Sequence, residues 1–414
     1  AIGRQALSTE DAGGGAVAIG YQALQDQDGG DLFNVAIGYR AGRNVTTGGN
    51  NILIGGNAGD TLTTGAYNVA IGHQALKTED THGYNTAIGH QALEMLDAGS
   101  NAINVAVGYN AGQVMSTGTL NTIVGGEAGD ALTTGNRNVA IGYEALSTED
   151  TGSRNVAVGE GALKTLNYNG NGYNVAVGYD AGTTLSTGIE NTIVGAQAGD
   201  ALTTGGGNVA IGYYALGGEN THGRNVAIGA YTLTVQDAGV DAYNVVVGYK
   251  AGEDVTTGAY NTLIGGLAGD ALTTGGYNTA IGFEALSTED GHGTNVAVGY
   301  RSLKVLNAGA NAYNTAVGHN TGTAMTTGQQ NTIVGGDAGD ALTIGNYNTA
   351  LGTFALGTSV DGDYNTAIGY KALQDYEDGD GNGHNTAVGA NSQLNATTGE
   401  YNTSLGSLSM GVGV

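Results

Sequence analysis

The residues of this chain best suited to chemistry are carboxylates, and they recur at a fixed interval. Asp60, Asp130, Asp200, Asp270 and Asp340 fall every 70 residues, and the acidic pairs Glu79-Asp80, Glu149-Asp150 and Glu289-Asp290 share a second type of turn. Carboxylate oxygens are hard ligands that suit calcium, so the five aspartates are calcium candidates, set against a plain solvated turn or cap. The acidic turns have the same standing. His82, His222 and His292 occupy equivalent Thr-His-Gly or Gly-His-Gly turns. Within one chain they lie too far apart to share a metal, and only threefold symmetry would gather copies of one. No catalytic set accompanies these groups: the sequence has no Gly-x-Ser-x-Gly elbow, no Walker loop and no His-Glu-x-x-His. The expectation is a protein that is not an enzyme and carries no cofactor beyond calcium.

The elements that must position these side chains are set by a repeat. A five-residue unit, Asn-(Val/Thr)-(Ala/Ile)-(Ile/Val)-Gly, recurs along all 414 residues and ends at 24 glycines, among them Gly38, Gly55, Gly72 and Gly89. Steps of 17, 17, 17 and 19 residues make a super-repeat of 70. Seventeen residues are too few for a helical hairpin repeat but suit one coil of a β-solenoid. The residues on either side of the small central one should share a face, with the central one on the other. Glycine and Asn are expected to supply the positive φ angles of the corners. The fold expectation is all-β: a parallel β-solenoid or β-roll of about 24 coils, with residues 1–414 forming one repeat rod about 110 Å long at about 4.8 Å per coil. In such a stack Asn34, Asn51, Asn68, Asn85, Asn104, Asn121, Asn138 and Asn155 form a structural ladder, each side chain bonding backbone groups of adjacent coils. The string Gly125 to Leu132 approaches the calcium-binding nonapeptide Gly-Gly-x-Gly-x-Asp, but adjacent coils share ions there, whereas these aspartates stand about 19 Å apart.

Composition narrows the class further. Glycine supplies 78 residues, while Pro, Cys and Trp are absent. Collagen, which needs proline, and disulfide scaffolds are thereby excluded. Lys and Arg number 12 against 37 Asp and Glu, for a formal charge of -25, which excludes nucleic acid and anionic membrane as partners. No apolar run is long enough to cross a membrane. The position three residues after each closing glycine holds only Ala, Ser or Thr, so it either lines a thin lumen or faces a neighbouring chain. A core this thin is marginal against chain entropy, and association as a homotrimer would add burial. At Leu53, Ile123, Ile193, Leu263 and Ile333 a large residue replaces the central Ala, while Gly or Ala replaces the Tyr or His after the glycine. This reads as a packing swap between neighbouring surfaces. Tyr67, Tyr84, Tyr173, Tyr243, Tyr260, Tyr277, Tyr313, Tyr347, Tyr364 and Tyr401 precede the unit Asn and should form surface ladders, which pack across coils or stack on sugars.

Units such as Asn85-Thr-Ala-Ile-Gly-His-Gln-Ala-Leu93 and Asn365-Thr-Ala-Ile-Gly-Tyr-Lys-Ala-Leu373 resemble the repeat region of tail-fibre-domain proteins from phages and marine bacteria. More distantly they are similar to the head repeats of trimeric autotransporter adhesins. The resemblance implies a left-handed, trimeric β-roll in an extracellular setting, on a virion or cell surface, attaching to a receptor that includes glycans among the candidates. The adhesin heads have shorter coils, and this chain opens and closes within repeats, so it is expected to be a segment of something longer. A self-assembling extracellular filament and an ice-binding solenoid are the alternative expectations.

Overall fold

The computed structural model describes residues 1–9, 13–376 and 382–410. It divides into two compact units, Ala1–Gly207 and Asn208–Val414. Each unit is a parallel β-solenoid with no helix among the described residues. Eleven strands of three residues, from Val17–Ile19 to Thr192–Val194, lie in the first unit. Twelve described strands, from Val209–Ile211 to Thr403–Leu405, lie in the second. The earliest repeat has no strand of its own; a parallel bridge from Ile2 to Ile19 and main-chain bonds such as that from the Leu7 N–H to the Ala23 carbonyl at 2.9 Å hold it.

Strands pair in exact repeat register. Val35, Ala36 and Ile37 stand beside Ile52, Leu53 and Ile54, which in turn stand beside Val69, Ala70 and Ile71. The central residue is buried and the two flanking ones point out and stay partly exposed. The solenoid therefore turns its small residue inward and its β-branched pair toward solvent. Inside, most coils add an Ala three residues after the glycine, as at Ala41, Ala58, Ala75 and Ala92, and others a Ser or Thr such as Thr232 or Ser302, all fully buried. That decides the small position: it lines the lumen of its own chain and does not face a neighbour. A larger side chain completes the coil, either four residues after the glycine (Leu76, Leu93) or seven (Val45, Leu62).

The large-for-small exchange lies elsewhere than between the surfaces expected from the sequence. Leu53 points inward, whereas Gly56 sits outside, where a Cβ would meet the His73 ring at 3.2 Å. The inward partners of Leu53 are Gly42 and Gly59, which occupy the slot that Leu76 and Leu93 fill in other coils. A Cβ on Gly42 would lie 2.5 Å from Leu53 Cδ1, and one on Gly59 2.9 Å from Cδ2. Ile123, Ile193 and Leu263 repeat the arrangement over Gly112, Gly182 and Gly252. Lumen volume is thus held nearly constant while its contributors change place.

Corner chemistry also departs from the sequence reading. Positive φ is carried by ordinary residues as well as glycine, including Gln22 (56°), Leu24 (47°), Tyr67 (61°) and Leu76 (49°). The hydrogen bonds explain why. The Gln22 N–H donates to the Arg4 carbonyl of the preceding coil at 3.0 Å, and the Leu24 N–H donates to the Ala41 carbonyl of the next at 3.0 Å. Turning alternate peptide planes toward opposite neighbours needs left-handed residues between those of negative φ. The strain of about 1–2 kcal/mol per residue is offset where the N–H groups so turned find carbonyl partners in adjacent coils, as those of Gln22 and Leu24 do.

The unit Asn side chains from Asn34 to Asn385 are fully or almost fully buried. Asn34 Oδ1 accepts the Asn51 backbone N–H at 2.8 Å, and Asn51 Oδ1 accepts that of Asn68 at 2.9 Å. Meanwhile Asn34 Nδ2 donates to the Gly48 carbonyl at 2.7 Å and Asn51 Nδ2 to that of Gly65 at 2.9 Å. Asn34 and Asn51 thus each join their own coil to the next and close the corner ahead of its strand.

Candidate functional site

Position seven after the closing glycine is a core slot. Val45, Leu62, Leu96, Met115, Leu132, Leu166, Leu185 and Leu202 fill it with no exposed surface. In four coils 70 residues apart the slot holds a glutamate instead, Glu79, Glu149, Glu219 and Glu289, all equally buried, and the next coil of the series has Ser359 there. Burial raises all four carboxyls above the usual glutamate range, with backbone N–H groups pulling the other way.

Three of these glutamates face a histidine three residues on. Glu79 Oε1 accepts the His82 backbone N–H at 3.1 Å and lies 3.5 Å from His82 Nδ1. Glu219 Oε1 accepts the His222 N–H at 3.2 Å and lies 3.8 Å from Nδ1. Glu289 Oε1 lies 3.5 Å from His292 Nδ1. Each imidazole is only partly exposed, and the adjacent coil or turn adds acid to the cluster. Ligand atoms of Glu79, Asp80, His82 and Asp97 all lie within 4.8 Å of one another, as do those of Glu219, His222 and Asp237 and those of Glu289, Asp290 and His292. No protein-family model matches this chain, and no curated protein does either. What the clusters do must therefore be argued from their own chemistry: one imidazole nitrogen beside two carboxylates is a donor set for a divalent metal.

The five calcium-candidate aspartates are placed differently. Asp60, Asp130, Asp200, Asp270 and Asp340 sit at a corner five residues after the glycine, and none of them belongs to a ligating group of three or more among the described residues. Asp60 pairs with Arg43, whose Nε is 3.3 Å from Oδ1. Burial raises all five carboxyls, and Asp270, with Asp254, Glu253 and Glu284 adding like charge, is pushed up to about 6. A folded-state value above the unfolded 3.8 means that folding favours the protonated acid. The contribution to stability is then full below pH 3.8 and is lost as pH rises through about 6. Asp270→Asn should accordingly raise the thermal midpoint at pH 8. The gain should shrink through pH 6 and vanish near pH 4, as melting curves across that range will show.

Sequence reasoning singled out the histidines and three of the acidic turns but read them as exposed, and it passed over Glu219, Asp97 and Asp237. The signal was present. Counting from the closing glycine puts each glutamate in register with Leu and Val, which marks it as a core residue whatever the turn around it looks like.

Proposed function

We propose that the protein is a non-enzymatic fibre shaft, a homotrimeric extracellular fibre of the tail-fibre or surface-adhesin kind that presents an attachment surface to a receptor. The observation that carries this reading is the outer face of the strands. Val35 and Ile37, Ile52 and Ile54, and Val69 and Ile71 stack in register as a continuous β-branched stripe, with Ile52 40% exposed. Contiguous apolar surface of this kind favours association with a matching surface, and identical chains offer one. Light scattering should give three times the chain mass. Val69→Lys combined with Val139→Lys, both in the stripe, should lower that mass to one chain while the far-ultraviolet dichroism stays that of a solenoid. A folded wild type of single-chain mass would remove the trimer.

The aromatic ladders bear on what the shaft presents. Tyr243, Tyr260 and Tyr277 stack with ring centroids 5.7 and 5.0 Å apart, and Tyr347, Tyr364, His384 and Tyr401 at 4.7, 4.8 and 5.0 Å. A second column, His73, His90 and Tyr109, follows the closing glycines at 5.4 Å spacing. The ring faces a sugar would need are turned on one another. This favours cross-coil packing, and a glycan receptor would meet hydroxyl edges.

One further observation favours the ice-binding alternative. Thr315, Thr332, Thr349, Thr366, Thr386 and Thr403 open six successive strands and stack in register on the outer face, not in the turns. Thermal hysteresis in the purified chain would support that reading, and its absence would end it.

A further inference from the structure

We propose that the corners at Glu79, Glu219 and Glu289 are a repeated binding site for a divalent transition metal of the zinc type, held by the buried glutamate, the histidine three residues later and a second carboxylate. The second carboxylate is Asp97 in the first corner, Asp237 in the second and Asp290 in the third. One imidazole and two carboxylates, with a coordination position left for water, suit zinc or cobalt better than calcium, which takes six to eight oxygens.

Two observations point to a ligand beyond the clustering of acids. The first is an open valence in a dry place. Glu79 and Glu219 have no exposed surface, yet Oε2 of each lacks a hydrogen-bond partner; in the third corner Oε1 of Glu289 and Nδ1 of His292 are the buried atoms left over. The Ala98 N–H faces the Glu79 carboxylate but stays outside hydrogen-bonding geometry. A buried carboxylate oxygen without a donor is costly, and a cation would remove that cost.

The second is an internal control. The coil of Glu149 has the same buried carboxylate but carries Gly152 where the others carry histidine; at the position of Asp97 and Asp237 it has Asn167, as the third corner has Asn307. In the Glu149 coil both oxygens are satisfied by the backbone. Oε1 accepts the Gly152 N–H at 2.7 Å and Oε2 accepts the Tyr168 N–H at 3.2 Å. In the third corner Glu289 Oε2 likewise accepts a main-chain N–H, that of Ala308 at 3.4 Å, yet Oε1 stays open: each corner with histidine keeps one carboxylate oxygen without a donor, and the corner without it keeps none. A purely structural glutamate gives no reason for that difference.

The test is zinc titration of chelator-treated full-length protein by calorimetry, with cobalt absorption as a spectroscopic check. Wild type should bind three equivalents and show a higher thermal midpoint with zinc. Replacing all three histidines, His82→Gly, His222→Gly and His292→Gly, copies the residue of the natural Glu149 coil, so the solenoid should stay folded. It should lose the three equivalents and the cobalt bands. Glu149→Gln should bind like wild type. Absence of binding by wild type at tens of micromolar zinc, or unchanged stoichiometry in the folded triple variant, overturns the proposal.

Discussion

Gly142→Ala should cost about 3 kcal/mol or more and open the first unit locally, an effect out of proportion to one methyl group. Gly142 has a φ of 135°, a region that side-chain-bearing residues rarely enter. A Cβ there would lie 2.4 Å from the Gly159 carbonyl oxygen and 2.5 Å from its carbon. Both atoms belong to the main chain of the next coil, so no side chain can rotate away. Relief must come from separating two coils whose strands are paired at Val139 and Val156, Ala140 and Ala157, and Ile141 and Val158. The Gly142 N–H, which donates to the Val124 carbonyl at 2.8 Å, would be dragged off its own partner on the other side. Because each coil in a solenoid is stabilised only by its neighbours, the damage should stay near the substitution. Hydrogen exchange should show lost protection from about residue 121 to residue 160 while coils farther off keep theirs. Gly99, whose added Cβ would have nothing within 4 Å, is the control, and Gly99→Ala should be mild by comparison.

The same geometry explains which parts of the molecule the sequence disclosed. Closing glycines and unit asparagines are legible because a stack at fixed spacing offers each of them one solution: Gly55 cannot bear a Cβ against Gly72, and Asn51 must reach both Asn68 and Gly65. Coil after coil repeats the demand, so the glycine is written 24 times and the asparagine 22. The lumen is less legible because its volume is shared among coils. Leu53 compensates Gly42 from the next turn, a relation that no single repeat shows. The left-handed corners are not legible at all, since Leu24 and Tyr67 adopt them for the sake of hydrogen bonds to other coils and not from any preference of their own. The candidate site falls between these cases. Thr78-Glu79-Asp80-Thr81 looks like a solvated acidic turn, and only its register against Leu62 and Leu96 shows that Glu79 points inward.

Asn138→Ala should destabilise the first unit by about 3–5 kcal/mol, because it strands two backbone groups in the interior at once. Asn138 Oδ1 accepts the Asn155 N–H at 2.9 Å and Nδ2 donates to the Gly152 carbonyl at 2.8 Å. With Ala there, neither group has a substitute, because the site is closed to water: Asn138 is 1% exposed. Asn138→Asp separates the two halves of the interaction. It keeps an acceptor for the Asn155 N–H but sets a carboxylate oxygen against the Gly152 carbonyl, and it buries a charge among apolar neighbours. At pH 7 it should therefore be at least as damaging as Ala. Lowering the pH restores a donor by protonating the acid and should recover much of the loss, whereas the Ala variant should not respond. Urea midpoints for the three proteins at pH 7 and pH 4 distinguish the cases. If Asp and Ala behaved alike at both values, the ladder would serve as packing alone, and the two hydrogen bonds would contribute little to holding successive coils together.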